Sequence, residues 1–234
     1  MKQVSLFLMT QKGLDVLNSI VQNLLQNLID IVVIGRDPKI LDDSSADIKA
    51  LCNAYNIPFC YRNDHFKISS PYAIAISWRW LIDLPNSKLI VLHDSLLPRY
   101  RGFAPLVNQL VNGEKEIGVT ALWASSEYDR GDIISQEKIS IEYPLKIKDA
   151  IEMIAPLYSR LTCNILEKIS NKKELIGTAQ VEEQASYSLW RDEEDYRINW
   201  SDSAERIARF IDAVGYPYAG AEAILNGAKV KILE

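Results

Sequence analysis

A single histidine and a single aspartate carry the chemistry that this sequence suggests most directly. His93 closes the run Lys88 to Leu92, which is mostly apolar, and opens the segment HDSLLPRYRGFAP. Asp129 stands 36 residues further on, in SSEYDRGDI. A histidine exchanges a proton near neutral pH, so it serves as general acid, general base or partner to a developing charge. A carboxylate behind it fixes the ring's orientation. Read from the residues alone, two bland alternatives stand beside this one. His93 also suits a hydrogen-bonded cap at a strand end, and Asp129 a turn residue that satisfies its own backbone. Around the pair, Ser95, Leu96, Leu97 and Pro98 form a tight apolar loop able to wall a flat ligand, and Gly102 permits a turn that a larger residue resists. Trp78, in SWRW, fits a ring contact or the core.

The elements that must place these residues are legible as periodicities. Val4 to Met9 is apolar apart from one serine, as in a strand buried on both faces. Leu14, Leu17, Val21, Leu24 and Leu28 recur at helical spacing, and Ile31 to Ile34 is a second strand. This β-α-β opening implies a parallel sheet. A weaker helix follows around Ala46 to Ala54. Tyr72 to Ser77, Lys88 to Leu92, Val119 to Ala124 and Ile133 to Ile139 read as strands. Ile147, Ile151, Ile154, Tyr158, Leu161 and Ile165 form one stripe on a long helix, with Pro156 inside it as an expected kink. A polar stretch from about Asn171 to Ser186 is expected as a boundary. After it, Asp202 and Glu205 have capping-box spacing, Gly215 stops the helix, and Asn226-Gly227 turns a hairpin between Ala219–Leu225 and Ala228–Leu233. The expectation is an α/β fold with a Rossmann-like domain over 1–180 and a small α+β appendage over 181–234. No GxGxxG follows the first strand, so the usual dinucleotide fingerprint is absent.

Composition narrows the function classes. The chain has 234 residues, is 48% hydrophobic and carries a formal charge of −5. That charge argues against a nucleic-acid partner gripped through phosphate neutralisation. The three cysteines show neither CxxC nor zinc spacing, so no metal is expected. The N-terminal apolar run is too short for a signal peptide or a span, which predicts a cytoplasmic protein without a membrane partner.

The segment HDSLLPRYRGFAP resembles the H-x-SLLP-x-Y-R-G signature of the folate-dependent formyltransferases. The similarity continues through NGEKEIGVTAL and DRGDIISQ, and INWSDSAERIARFIDAVGYPYAGA is similar to the start of the C-terminal region in the tRNA and sugar members. The resemblance implies an N10-formyl-tetrahydrofolate cofactor, with His93 and Asp129 as catalytic residues. It further implies a cofactor pocket beside Ser95, Leu96, Leu97, Pro98, Trp78 and Tyr128. The family's catalytic asparagine belongs two residues before the histidine, and here that position is Val91. Valine donates no hydrogen bond, and losing one oxyanion donor costs roughly 3 kcal/mol. A backbone N–H, a water or His93 itself could supply the donor, Asp94 could have reorganised the site, or the protein could be a weak relative.

For the acceptor, the resemblance favours a nucleotide-linked amino-dideoxy sugar, of pseudaminic or legionaminic type, made for a surface glycan. Tyr100, Arg101, Gly102, Phe103, Trp190 and Arg191 are the expected substrate residues, the last two from SYSLWRDEEDYRINW. Acidity and the short C-terminal region argue against methionyl-tRNA, which stands as the alternative beside a non-catalytic folate or sugar binder. A homodimer is left open.

Overall fold

The computed structural model describes residues 2–36, 43–84 and 88–232. The chain divides into two compact units. One comprises Met1–His93, Thr120–Gln136 and Ala155–Ala179; the other comprises Asp94–Val119, Glu137–Ile154 and Gln180–Glu234.

The first unit is built on a parallel sheet. Strand β1 (Val4–Leu8), fully buried, pairs in parallel with both β2 (Ile29–Ile34) and β4 (Tyr72–Ile76). Strand β3 (Phe59–Tyr61) joins β2, and β5 (Lys88–His93) joins β4, again in parallel. The sheet continues through β7 (Glu116–Trp123), antiparallel to β5, and β8 (Ile133–Ser140), giving the order β3-β2-β1-β4-β5-β7-β8. The expected parallel α/β sheet is therefore present. Strand β3 was not anticipated, because three residues are too few to show a period.

Helix α1 (Thr10–Gln22) buries Val16, Leu17, Ile20 and Val21, and helix α2 (Ser45–Ala54) buries Ile48 and Cys52. The stripe read through Leu24 and Leu28 overshoots. Asn23 ends α1, its side-chain N–H bonding the Ser19 carbonyl, and Leu24 turns to φ +58° with its side chain exposed. Phe7, Val33, Ala73 and Ala75 form a core cluster joined by Cys60, Trp78, Leu89 and Val91.

The second unit holds β6 (Arg101–Gly102), the helix α3 (Pro105–Asn112), β9 (Tyr187–Ser188), α5 (Ala204–Val214) and a hairpin of β10 (Ala221–Leu225) with β11 (Ala228–Ile232). The long helix α4 (Ile147–Ser170) contributes its first turns here and the rest to the first unit. The hairpin turns at Asn226-Gly227, both at positive φ, as expected; Leu233 lies outside the described residues. The expected capping box is corrected. Ser203, not Asp202, caps α5, its hydroxyl accepting from Arg206 N at 3.3 Å, while Asp202 pairs with the Arg206 guanidinium. One residue of offset decides this: Ser203 sits at the N-cap with an extended backbone that turns its side chain onto the first turn. The polar stretch is not a bare linker either: Thr178 bridges to Ile133, and Arg101–Gly102 pairs in parallel with Tyr187–Ser188.

Candidate active site

His93 is the last residue of β5, and Trp78 lies two residues beyond the end of the neighbouring parallel strand β4. Both therefore stand at the carboxyl edge of the parallel sheet, where ligands bind in open α/β folds. His93 is buried and pairs in register with Thr120 of β7. Thr120 is fully buried, and its hydroxyl accepts from the Gln136 amide at 2.8 Å. Neither Thr120 nor Gln136 was singled out from the sequence. The available signal was a lone hydroxyl inside the apolar run of β7.

The loop after β7 leaves the sheet with Ala124 N bonded to Leu89 O, near the start of β5, yet returns Asp129 to His93 at its end. His93 Nδ1 lies 3.4 Å from Asp129 Oδ1, with both side chains largely shielded from solvent. This is an ion-pair separation, slightly longer than a direct N–H···O bond, and such contacts tighten when substrate closes the site. Asp129 itself takes the left-handed backbone conformation, φ +56°. Gly131 makes the return path possible: a Cβ there would lie 1.7 Å from the Trp123 carbonyl oxygen. A bond from Trp123 N to Asp132 O, 3.0 Å, closes the loop just past that contact.

With the carboxylate at Nδ1, the proton on that nitrogen is held in place. Nε2 is then the nitrogen that would exchange a proton with a reacting group. Two residues before His93, Val91 faces the same side of β5 and packs against the Phe7 cluster. The expected asparagine position is thus occupied by an apolar, partly buried side chain.

Trp78 packs edge-on against Phe7 and Trp80, each with ring centroids 5.2 Å apart. Its indole nitrogen is buried and has no hydrogen-bond partner among the described residues. Tyr128 is 69% exposed in the Asp129 loop.

The remaining expected residues lie in the second unit. Ser95 is fully buried and its hydroxyl donates to the Arg99 carbonyl at 2.7 Å, while the Gln109 amide holds the Asp94 carbonyl at 2.7 Å. Leu96 rests over Gly118, and Leu97, joined to Pro98 by a cis peptide bond, is buried. Tyr100 donates its hydroxyl proton to Glu114 at 2.6 Å, and burial beside that carboxylate raises its pKa. Arg101 is only 1% exposed; it donates to Gln180 (3.0 Å), Glu182 (2.8 Å) and the Tyr187 hydroxyl (3.2 Å). Gly102, at φ +98°, lets the chain pass Ser188, whose carbonyl oxygen would sit 2.4 Å from a Cβ. Phe103 and Trp190 meet edge to face at 5.3 Å, and Arg191 donates to Asn108 at 2.7 Å. Arg101 is thus engaged by internal partners, whereas Phe103 and Trp190 present exposed aromatic surface.

Residues 76–157 match the formyl transferase family and residues 191–234 match the formyl transferase C-terminal domain. The chain belongs to the formyl transferase family. The methionyl-tRNA formyltransferase of Syntrophomonas wolfei is 35% identical over 152 residues, 65% of this chain and 48% of that protein. That of Thermodesulfovibrio yellowstonii is 28% identical over 202 residues, 80% of this chain and 65% of that protein. The chain spans about half the length of the curated relatives it matches most strongly. Among solved structures, the fold is shared with WlaRD, described as a sugar 3N-formyl transferase with dTDP and 5-N-formyl-THF (TM-score 0.77, 20% identity, 98% of this chain and 85% of that one). It is shared also with a 4-N formyltransferase from Francisella tularensis (TM-score 0.75, 19% identity, 100% of this chain and 97% of that one). Among the described residues, no helix is long and apolar enough to cross a membrane.

Proposed function

We propose that this protein transfers a formyl group from N10-formyl-tetrahydrofolate to the amino group of a nucleotide-linked amino sugar, of amino-dideoxy type. The observation that carries the reading is the His93 Nδ1–Asp129 Oδ1 pair, 3.4 Å apart at the carboxyl edge of the sheet. The unpartnered indole N–H of Trp78, set among aromatic rings beyond the adjacent strand, fits a flat heterocycle with hydrogen-bonding edges. Trp78 and Tyr128 would hold that ring system.

The folate, when bound, supplies the formyl carbon as electrophile and a ring-linked nitrogen as leaving group. The residues of the chain do the rest. His93 Nε2 accepts the proton that the attacking amine must lose as its C–N bond forms, and can return one to the departing nitrogen. Asp129 keeps the ring oriented and stabilises the imidazolium during that interval. With Val91 offering no donor, His93 also meets more of the charge developing on the formyl oxygen.

Two observations favour a sugar acceptor. Solved sugar N-formyltransferases share this fold at TM-scores of 0.75–0.77. The chain's charge of −5 is unfavourable for gripping an RNA backbone. The 35% identity to the Syntrophomonas enzyme supports methionyl-tRNA as a second reading. Purified protein with N10-formyl-tetrahydrofolate and a panel of nucleotide amino sugars decides between them. The expected product is one sugar heavier by a carbonyl in mass spectrometry. Turnover of methionyl-tRNA with no sugar product would overturn the sugar reading.

A further inference from the structure

A cavity of about 150 Å³ lies wholly within the second unit. Val111 at the end of α3, and Arg206, Ile207 and Phe210 of α5, line it with Arg191 and Arg197 of the preceding segment. Three arginines and one carboxylate, Asp202, line it, and Glu194 and Asp195 stand close to Arg197 and Arg191.

The arginines are not equally committed. Arg206 pairs with Asp202 at 3.3 Å and Arg197 with Glu194 at 3.6 Å, both at partly exposed positions where such pairs contribute little. Arg191 is different. It is half-buried, and its hydrogen-bond partners are neutral: the Asn108 side-chain oxygen at 2.7 Å and the Asp195 carbonyl at 3.2 Å. Its Nε is buried and has no partner among the described residues. A guanidinium partly withdrawn from water, bonded to neutral oxygens with Asp195 acting on it only electrostatically and with an unused N–H, gains from an anion that completes it. Desolvation accordingly lowers its pKa. Arginine forks match phosphate oxygens in bidentate geometry. Beside them, Val111, Ile207 and Phe210 form an apolar wall, and the volume is that of a diphosphate group rather than of a whole nucleotide.

We infer that this cavity binds the diphosphate of a nucleotide, with Arg191 as anchor and Arg197 and Arg206 as flanking cations. The inference rests on the nucleotide-sugar reading for what carries the diphosphate, and deepens it by giving that group its residues.

Calorimetric titration of the full chain with dTDP, UDP, GDP, inorganic pyrophosphate and thymidine tests it. The expected result is saturable one-to-one binding of pyrophosphate and at least one nucleoside diphosphate, and none of thymidine. Arg191→Gln and Arg206→Gln should each weaken binding at least tenfold, with melting temperature recorded alongside. Arg206 is half-exposed, so its variant decides the matter if Arg191→Gln fails to fold. Unchanged affinity in the folded variants, no binding of any diphosphate at millimolar concentration, or binding of an RNA oligonucleotide in place of the nucleotides would overturn the inference. Failure of the two readings is distinguishable. Diphosphate binding that obeys the variants, without formyl transfer to any sugar, leaves the cavity standing and removes the activity. Transfer to a nucleotide sugar with kcat/KM unaltered by the variants does the reverse.

Discussion

In the proposed reading His93 and Asp129 work as one unit, because a ring nitrogen facing a carboxylate has its proton position settled before substrate arrives. His93→Ala should lower formyl transfer by about 10²–10⁴-fold, the usual contribution of a positioned acid–base group. The affinity for folate, measured by fluorescence quenching, should change little. Asp129→Asn should lower kcat by about 10²-fold with KM nearly unchanged, because it alters the ring's orientation rather than contacts to substrate. Val91 belongs to the same argument. It packs with Phe7, Ala73 and Ala75, so Val91→Asn places an amide in an apolar setting and should cost about 1–3 kcal/mol in a urea melt. The transfer rate should not rise; a marked rise would show that the native site lacks a donor it could use.

At the scale of elements, the Asp129 loop is held by backbone closeness rather than by side chains. A methyl group on Gly131 would collide with the Trp123 carbonyl, so Gly131→Ala must move the Asp129–Asp132 segment. Activity should fall by about 10²-fold, since displacements near 1 Å at a catalytic group cost that much. The melting temperature should fall by only a few degrees, because the core strands are untouched. The Ser203 cap is a purely structural counterpart. Ser203→Ala removes one acceptor at the start of α5 and should cost about 1 kcal/mol, roughly 2–4 °C, with no change in KM for folate.

For the whole molecule, buried neutral groups set the behaviour in alkali. Desolvation pushes the Cys52 thiol up to about 12, and the Tyr143 hydroxyl likewise to about 12. In the unfolded chain these groups lose their protons at lower pH, so above pH ~8.5 the folded state binds more protons than the unfolded one. Stability is complete below that point and declines as pH rises toward 12. Urea melts at pH 7, 9 and 10.5 should show this decline, and Cys52 should resist thiol reagents at neutral pH until the protein unfolds.

Much of this was legible in the chain of residues. Apolar runs of four to six residues gave the buried strands, because a parallel strand shielded on both faces has no polar alternation to lose. His93 and Asp129 stood out by type and place, with bland alternatives beside them, and the resemblance in HDSLLPRYRGFAP added their expected roles and the cofactor. What escaped was set by contacts between distant residues. The short strand pair of Arg101–Gly102 with Tyr187–Ser188 has no periodic signal, and Arg101 is surrounded by Gln180, Glu182 and Tyr187, some eighty residues away in sequence. The sequence by itself therefore determined most of the sheet and marked the candidate pair, since local periodicity and side-chain chemistry are properties of the residues. Only the tertiary structure decided which arginine is occupied internally and which retains an unpartnered N–H, because the state of a charge depends on its neighbours in space.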